Sequence, residues 1–395
     1  MGPELGRGAL MKTLLVVVSL SGLLFAAFAG FSRRPPLPSE HTLSYQLLQL
    51  GPFDVATDTH DLVDPARFIP DPDAPNGKSP RSMKVRLWHP QSKRHDPQPL
   101  LIYSHGLLGT GEAVEYIARV LGSHGYVVAA PDFPRTNRSQ GEQANSRDVF
   151  NQPRDVALVI DWLLARSQDP EDELYNAIDP ERIAAVGHSL GALNTHLLGF
   201  HPEWQEPRIK AVISLGGPTS LFTRKFLTTR SIPYMAIAAP QDAFIEYEAN
   251  FLPLLDKVDG AVLVSMEGGS HLGFADEGKW FRWFDNPDTV GCTFAKDTIE
   301  RNKATTEPWY DELGGVEEGY VREVDPRICE DEVSTAMNPL RQQQLTVMAV
   351  RSFLECQFAE APDDRARWCG YIGEPFEREN EEISVLRRDP QGGAP

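Results

Sequence analysis

Apolar residues in this chain cluster in short, mostly apolar runs, and between the runs they recur every three or four positions. Runs of about four to eight apolar residues are typical of strands buried on both faces, whereas the spaced pattern is typical of amphipathic helices. The runs lie at 99–103, 126–131, 182–186, 209–215, 232–239 and 261–266. Because strands and helices alternate, the pattern predicts an α/β fold with a mostly parallel, twisted sheet and helices on both faces.

Two segments differ from the buried strands and the helices between them. Residues 82–88 alternate polar and apolar side chains, which predicts a half-buried antiparallel strand at the N-terminal edge of the sheet. Residues 339–358 follow Asn338, a favourable N-cap, and predict a long helix. The remaining predictions near the C-terminus are a helix at 246–258, the last strand at 261–266 and a polar, disordered tail at 371–395.

The first residues carry the pattern of an export signal. Lys12 precedes an apolar run at 14–29 that ends in Ala-Phe-Ala, as signal peptides do before their cleavage site. Residues 1–34 are therefore predicted to be a signal peptide. One alternative is an uncleaved membrane anchor, because Arg33 and Arg34 follow the run directly; the other is a buried helix. The protein is expected to be exported, periplasmic or secreted, or else anchored through this segment.

The cysteines agree with export, because disulfides persist in oxidising compartments. All four lie in the C-terminal part of the chain, at Cys292, Cys329, Cys356 and Cys369, so two disulfides are expected with three pairings open. The alternative for Cys356 is a buried free thiol. Residues 40–370 are predicted to form a single domain. Within it, residues 286–338 are an insert that is either a cap or a stapled surface loop.

Composition and charge exclude several classes of partner. Of the 395 residues, 41% are hydrophobic and 24% are charged, which is usual for a globular protein. The 38 basic and 56 acidic side chains leave a net charge of −18, which argues against nucleic acid or an anionic membrane surface as a partner. No cysteine or histidine spacing matches a zinc site, so a metal site is not expected.

A Gly-x-Ser-x-Gly pattern at 187–191 is the first sign of chemistry. It follows the predicted strand at 182–186 and precedes a segment that can form a helix. In that context the pattern predicts a nucleophile elbow, a sharp turn on which Ser189 projects above the edge of the sheet. Glycine is needed on both sides because a Cβ would collide with the crowded backbone of such a turn.

A serine hydroxyl becomes a good nucleophile only beside an imidazole that a carboxylate orients. Asp242 follows the strand at 232–239, and His271 follows the strand at 261–266, so both lie at the strand ends where such partners are required. Ser189, Asp242 and His271 are therefore the predicted triad. The alternatives for the acid are Glu267 and Asp276, in the loop of His271, while Asp256 and Asp259 are expected to be solvated. His105 and His188 are expected to shape loops through hydrogen bonds.

Acyl transfer also needs backbone donors for the negatively charged oxygen of the intermediate. We expect one donor at the amide of Leu190, the residue after the nucleophile. The second is expected at the amide of Leu107, in the loop after the strand at 99–103, with Gly106 permitting close approach. The alternative for this loop is a glycine turn without a catalytic role.

These residues together resemble the α/β-hydrolase fold. The resemblance rests on 102–107, 132–134, the elbow at 187–191, Asp242 and His271, and it extends over about residues 45–274 and the helix at 339–358. Within this fold the chain is similar to dienelactone-hydrolase-like and platelet-activating-factor acetylhydrolase-like esterases. Dienelactone hydrolases use a cysteine where this chain has Ser189. The acetylhydrolases carry their acid after the preceding strand, where this chain has Gly216 and Gly217.

The expected function is hydrolysis of carboxylic esters through an acyl-enzyme intermediate, without a cofactor. The expected substrate is a small-molecule or lipid ester, from acetyl esters and phospholipids to polyesters. Two alternatives remain: a catalytically idle scaffold that acts as a binding protein, and a peptidase or acyltransferase with the same triad. The triad alone does not separate these activities, because the shape of the pocket selects the substrate.

Overall fold

The computed structural model describes residues 34–387 apart from 72, 73, 75, 92–95, 306–309 and 322–326. Residues 1–33 of the predicted signal segment therefore lie outside the described residues. Residues 37–395 belong to one compact unit, and all the elements below are part of it. No helix within the described residues is both long enough and apolar enough to cross a membrane.

The strands of the described residues form a single sheet. They are β1 (Val55–Pro70), β2 (Lys78–Pro90), β3 (Gln98–Ser104), β4 (Val127–Asp132), β5 (Ile178–His188), β6 (Ile209–Leu215), β7 (Tyr234–Ala238), β8 (Val262–Met266) and β9 (Ile383–Arg387). Their order across the sheet is β1-β2-β4-β3-β5-β6-β7-β8-β9. The sheet is parallel from β4 to β8, and β1, β2 and β9 are antiparallel to their neighbours. The predicted mostly parallel sheet with an antiparallel N-terminal edge is confirmed.

Helices cover both faces of this sheet. They are α1 (Leu43–Leu48), α2 (Glu115–Ser123), α3 (Gln152–Gln168), α4 (Leu190–Phe200), α5 (Arg224–Leu227), α6 (Tyr247–Asn250), α7 (Leu254–Lys257), α8 (Asp288–Thr305), α9 (Tyr310–Leu313), α10 (Pro339–Phe358), α11 (Pro362–Tyr371) and α12 (Glu374–Glu379). Helix α10 agrees with its prediction, and the side chain of Asn338 caps it by accepting the N–H of Leu340 at 3.0 Å.

The hydrophobic core consists of two layers, one on each side of the sheet. Successive residues of a strand point to opposite faces, so Leu100 and Ile102 of β3 contact one layer while Leu101 and Tyr103 contact the other. Helices α3 and α4 pack in the first layer, and α2 and α10 pack in the second. A parallel sheet buried on both faces explains why its strands are apolar at nearly every position.

The edge strand β1 is less regular than the strands it flanks. Its register with β2 shifts between Asp64 and Phe68, and Val63 and Phe68 point an apolar side chain into solvent. Pro65 lies inside this irregular stretch, where a residue without an N–H costs the least pairing.

Two predictions near the C-terminus are wrong. The tail at 371–395 was expected to be disordered and 261–266 to be the last strand, but residues 374–379 form α12 and 383–387 form β9, which pairs with β8. Buried side chains explain the order, since Phe376 and Ile383 pack into the second core layer. Residues 388–395 lie outside the described residues.

The helix predicted at 246–258 is interrupted. It consists of α6 and α7, with Pro253 between them. Proline has no N–H to donate to the carbonyl four residues earlier, so a continuous helix cannot pass through this position without losing a hydrogen bond.

The cysteines form two disulfides, Cys292–Cys329 and Cys356–Cys369. The alternative of a free thiol at Cys356 is therefore wrong. The first bridge joins the start of α8 to the segment before α10, inside the predicted insert. The second joins α10 to α11.

Candidate active site

Ser189 occupies the turn between β5 and α4 with φ 58° and ψ −120°, a conformation that non-glycine residues rarely adopt. The turn is tight on both sides. A Cβ at Gly187 would lie 2.1 Å from the carbonyl oxygen of Gly191, and a Cβ at Gly191 would lie 2.0 Å from that of Ser104. The backbone at 187–191 therefore has the sharp geometry of an elbow, with both glycines required by close backbone contacts.

Asp242 and His271 meet beside this turn. Asp242 lies in the loop after β7 and His271 in the loop after β8, and Oδ2 of Asp242 is 2.7 Å from Nδ1 of His271. Both side chains are buried, with 0% and 4% of their surface exposed. The other two acids considered from the sequence have different partners. Glu267 accepts a hydrogen bond from Gln241, and Asp276 forms an ion pair with Lys279.

The carboxylate of Asp242 is fixed by its own loop. Its Oδ1 accepts the backbone N–H groups of Phe244 at 2.7 Å and of Ile245 at 2.8 Å, which leaves Oδ2 for His271. The ring of Phe244 stacks on the ring of His271 at 4.6 Å. Since the carboxylate and the imidazole are each held by a second contact, their relative orientation is set before any substrate binds.

The surroundings of His271 favour its protonated form. Burial alone would lower the pKa of His271, but the charge of Asp242, its hydrogen bond and the charge of Asp288 leave that pKa above its ordinary value. Such a site stabilises the imidazolium that forms when a histidine accepts a proton from a nucleophile.

The two other histidines near the elbow differ from each other. His105 is fully buried, accepts the N–H of Phe133 at Nε2 (3.0 Å) and lies 2.7 Å from the carbonyl oxygen of Gly106 at Nδ1. It shapes this loop through hydrogen bonds, as predicted. The ring of His188 packs 4.5 Å from that of His271, and burial together with the charge of His271 lowers the pKa of His188 well below its ordinary value. His188 is therefore a neutral neighbour of His271.

The amides of Leu107 and Leu190 are the predicted donors to the oxyanion. Leu190 is the first residue of α4, directly after Ser189, and Leu107 is in the loop that follows β3. Gly106 allows the loop to approach, since a Cβ on it would lie 3.0 Å from the Cβ of Ser189. Leu107, Ser189 and Leu190 all line one cavity.

This cavity has a volume of about 1560 Å³ and contains both Ser189 and His271. Part of its wall comes from α8, in the predicted insert. The apolar side chains that line it include Leu193, Leu221, Ile245, Val290, Phe294 and Ile299. A space of this size and character fits an apolar organic molecule rather than a highly charged one.

A grouping of potential metal ligands lies outside this cavity. Within the described part of the chain, Asp58, His89 and Glu173 are the residues close enough to share an ion, and none of them lines the cavity. His89 is hydrogen-bonded to Asp58, and the guanidinium of Arg166 binds Glu173 at 2.9 Å. The positive charge of the Arg166 side chain disfavours the binding of a metal ion beside it.

Sequence reasoning missed one residue beside the site. Asp288 begins α8, is fully buried, and accepts the backbone N–H of His271 at 2.8 Å. An aspartate in the first turn of a helix is common, because it interacts favourably with the helix dipole. The preceding Asn286-Pro287 is a signal for the start of a helix in the sequence. That this start lies against His271 is visible only in the structure.

Comparison with known proteins finds similarity to esterases over part of the chain. Residues 100–281 match the family model described as PETase, PET hydrolase-like. Cutinase est2 of Thermobifida alba is 29% identical over 172 residues, which are 42% of this chain and 51% of the relative. Cutinase est1 of the same organism is 28% identical over 155 residues (39% and 46%), and cutinase 2 of Thermobifida cellulosilytica is 26% identical over 171 residues (42% and 58%). The chain thus spans about half the length of the curated relatives it matches.

The fold and these similarities agree with the resemblance noted from the sequence. The matched residues 100–281 include Ser189, Asp242 and His271, whereas Asp288 and the rest of the insert lie beyond them. The chain has the α/β-hydrolase fold, and residues 100–281 are similar to α/β-hydrolase serine esterases of the cutinase and PET hydrolase type.

Proposed function

We propose that this protein hydrolyses carboxylic esters with Ser189 as nucleophile, His271 as general base and Asp242 as the residue that orients His271. The observation that carries the proposal is the 2.7 Å contact between Nδ1 of His271 and Oδ2 of Asp242, in a cavity that also contains Ser189 on its strained turn. The cutinase and PET hydrolase-like similarities support the same class of reaction.

In the proposed mechanism, Oγ of Ser189 attacks the ester carbonyl carbon while Nε2 of His271 takes its proton. Asp242 stabilises the resulting imidazolium, and the amides of Leu107 and Leu190 bind the oxyanion. The carbon–oxygen bond then breaks, and the departing alkoxide receives the proton from His271. Water, activated by the same imidazole, cleaves the acyl-enzyme and regenerates Ser189.

The proposed substrate has an extended apolar part. A cavity of about 1560 Å³ with aliphatic and aromatic walls has room for a long acyl chain or an aromatic ester unit. Two aromatic side chains that line it remain largely exposed, Trp280 (65%) and Phe294 (78%). Exposed aromatic groups suit contact with a water-insoluble ester, since they bury apolar surface without unpaired polar groups.

The insert at 286–338 acts as a cap in this proposal, rather than as a surface loop. Helix α8 contributes Val290, Phe294, Ala295 and Ile299 to the cavity that holds Ser189. The disulfide between Cys292 and Cys329 fastens the first turns of that helix to the rest of the insert.

Activity against p-nitrophenyl esters of two to sixteen carbons tests the proposed reaction. We expect hydrolysis by the wild type, preference for the longer chains and loss of activity in Ser189→Ala. A fluorophosphonate probe should label the wild type and not this variant. An unlabelled wild type would instead support the idle scaffold. A matched amide substrate and an alcohol acceptor in the same assay distinguish a peptidase and an acyltransferase from an esterase.

A pair of variants on α8 tests the proposed cap. Ala295 lines the cavity, whereas the neighbouring Lys296 is exposed and outside it. Ala295→Trp should reduce activity on long esters about tenfold or more while retaining activity on acetate, because the indole occupies the space of the chain. Lys296→Trp is the control and should leave both activities unchanged. Equal activity of the two variants on every ester would contradict the cap.

We also propose that the mature protein is exported. Two disulfides are stable in oxidising compartments and rare in the cytosol, and the predicted signal segment at 1–34 provides the route. N-terminal sequencing of the protein recovered from the producing cells tests this. A start shortly after residue 29 indicates cleavage, and an intact N-terminus in the membrane fraction indicates an anchor.

A further inference from the structure

Asp288 connects the two loops that carry Asp242 and His271. Its Oδ2 accepts the N–H of His271 at 2.8 Å and the N–H of Ala243 at 3.0 Å, while its Oδ1 accepts the N–H of Leu272 at 2.8 Å. The side chain is fully buried. One carboxylate thus binds the backbone of both loops, at residues that are either in the proposed triad or adjacent to it.

Two further residues of the insert, Cys329 and Asn286, form hydrogen bonds with the loop of Asp242. The N–H of Cys329 donates to the carbonyl oxygen of Ala243 at 2.7 Å, so both backbone groups of Ala243 are bound by the insert. Asn286 donates to the carbonyl oxygens of Gln241 at 3.2 Å and Ser334 at 2.8 Å, and accepts the N–H of Asp288 at 2.8 Å. The loop is therefore fastened on both sides of Asp242.

Asp288 also brings a second carboxylate charge to His271. The titratable groups that face Asp288 are Asp242, from the loop after β7, and His271, from the loop after β8; His188 faces His271 from the elbow. Burial and the charge of Asp242 raise the pKa of Asp288 to about 6, against the opposing effects of His271 and the backbone donors. Its carboxylate oxygens accept three backbone N–H groups, and such donors favour the charged form of a carboxyl.

We infer that Asp288 is a positioning residue for the proposed triad. Asp288 fixes the loops of Asp242 and His271, and its negative charge stabilises the imidazolium of His271. The fixing of the loops rests on three hydrogen bonds, in which the backbone N–H groups of Ala243, His271 and Leu272 donate to the carboxylate of Asp288. The stabilisation of the imidazolium follows from the proximity of an anion in a buried site, where charges interact strongly. This inference rests on the proposed function only for the role of His271 in the reaction.

The test compares Asp288→Asn with two controls. Asn286→Ala loosens the loop of Asp242 without changing any charge, and Glu300→Gln removes a carboxylate from an exposed position of α8 outside the cavity. The titration of the His271 imidazole is followed by proton NMR, and ester hydrolysis is followed as kcat and KM over pH 5–9.

In Asp288→Asn we expect the titration midpoint of His271 to fall by on the order of one pH unit, since an anion near a histidine raises its pKa by that order. We expect kcat to fall about tenfold or more, with KM within about twofold, because the loops lose alignment while the apolar cavity remains. Asn286→Ala should lower kcat without moving the midpoint, and Glu300→Gln should change neither. A midpoint in Asp288→Asn equal to that of the wild type would overturn the inference.

The wild type supplies a second test that does not depend on the folding of a variant. If Asp288 acts on His271 by charge, the chemical shifts of His271 follow two steps, one of them near pH 6, as expected for coupled groups. A single-step curve overturns the inference. Two-step titration in a protein that cleaves no ester would leave the inference standing and reject the proposed function. Ester hydrolysis together with a single-step titration curve would reject the inference and leave the proposed function standing.

Discussion

Gly216 packs directly against Asp242: a Cβ on Gly216 would lie 3.1 Å from Oδ2 of the carboxylate and 3.4 Å from Nδ1 of His271. The acetylhydrolases that this chain resembles carry their acid after the strand that corresponds to β6, which is followed here by Gly216 and Gly217. In this protein that position has no side chain, and the carboxylate of Asp242, from the next strand, lies beside it.

Adding a methyl group at Gly216 should therefore disturb the contact between Asp242 and His271. We expect Gly216→Ala to lower kcat about tenfold or more, because small displacements of reacting groups are costly. The backbone at Gly216 has φ 50°, so alanine is also strained there. Gly260→Ala is the matched control, since Gly260 has φ 71° with nothing within 4 Å of its Cβ. Equal kcat values for the two variants would show that strain, rather than displacement of Asp242, explains any loss.

The pH dependence of ester hydrolysis should reflect the environment of His271. A histidine acts as a base only when it is neutral, and the pKa of His271 is raised above its ordinary value of about 6.5. Activity should therefore decrease as the pH falls, with a midpoint of kcat/KM above about 6.5. In Asp242→Asn the midpoint should move to lower pH and the plateau should fall by roughly 10³–10⁴-fold. A midpoint at or below 6 in the wild type would contradict this account of the site.

The elbow glycines should be essential for folding. In Gly187→Ala the new Cβ would meet backbone at 2.1 Å, and in Gly191→Ala at 2.0 Å, so the turn must open in either variant. We expect each to lose about 3 kcal/mol or more of stability, as for severe overpacking. Gly370→Ala is the control: it lies in α11 with free space around it, and should gain about 0.5–1 kcal/mol from helix propensity. Urea unfolding followed by circular dichroism measures all three, and a stable Gly187→Ala would argue against the tight turn.

The two disulfides should differ in their effect on activity. Loop-closure entropy assigns about 4 kcal/mol to Cys292–Cys329, with a sequence separation of 37, and about 3 kcal/mol to Cys356–Cys369, with a separation of 13. Double Ser variants of either pair should therefore lower Tm by a comparable amount. Only loss of Cys292–Cys329 should also reduce kcat at 25 °C, because Cys329 is hydrogen-bonded to Ala243 beside Asp242. Equal kcat values in both double variants would show that the insert does not support the site.

The parts of the site that the sequence predicted all follow buried strands. Ser189, Asp242 and His271 each come a few residues after an apolar run, and the carboxyl ends of parallel strands meet at one edge of a sheet. Proximity along the sheet then follows from topology alone. This explains why the fold could be predicted, and why the structure brings Asp242 and His271 into contact.

Asp288 and β9 could not be predicted in the same way, because their environment depends on distant parts of the chain. In sequence, Asp288 is an ordinary acidic residue at a helix start. Its burial and its three backbone partners depend on how α8 packs against loops from residues 243 and 271. Residues 383–387 lie between charged segments, and their pairing as a strand depends on the open edge of β8.

The two edge strands of the sheet, β1 and β9, are the places where another chain could add to it. An unpaired strand is a template on which another chain can add, and the long β1 exposes Val63 and Phe68. The register shift between Asp64 and Phe68, with Pro65 inside it, interrupts the regular row of donors and acceptors that such addition requires. At the opposite edge, β9 offers a ladder only five residues long. The sheet therefore ends in two poor templates, which protects a protein with a large apolar cavity from polymerising through its strands.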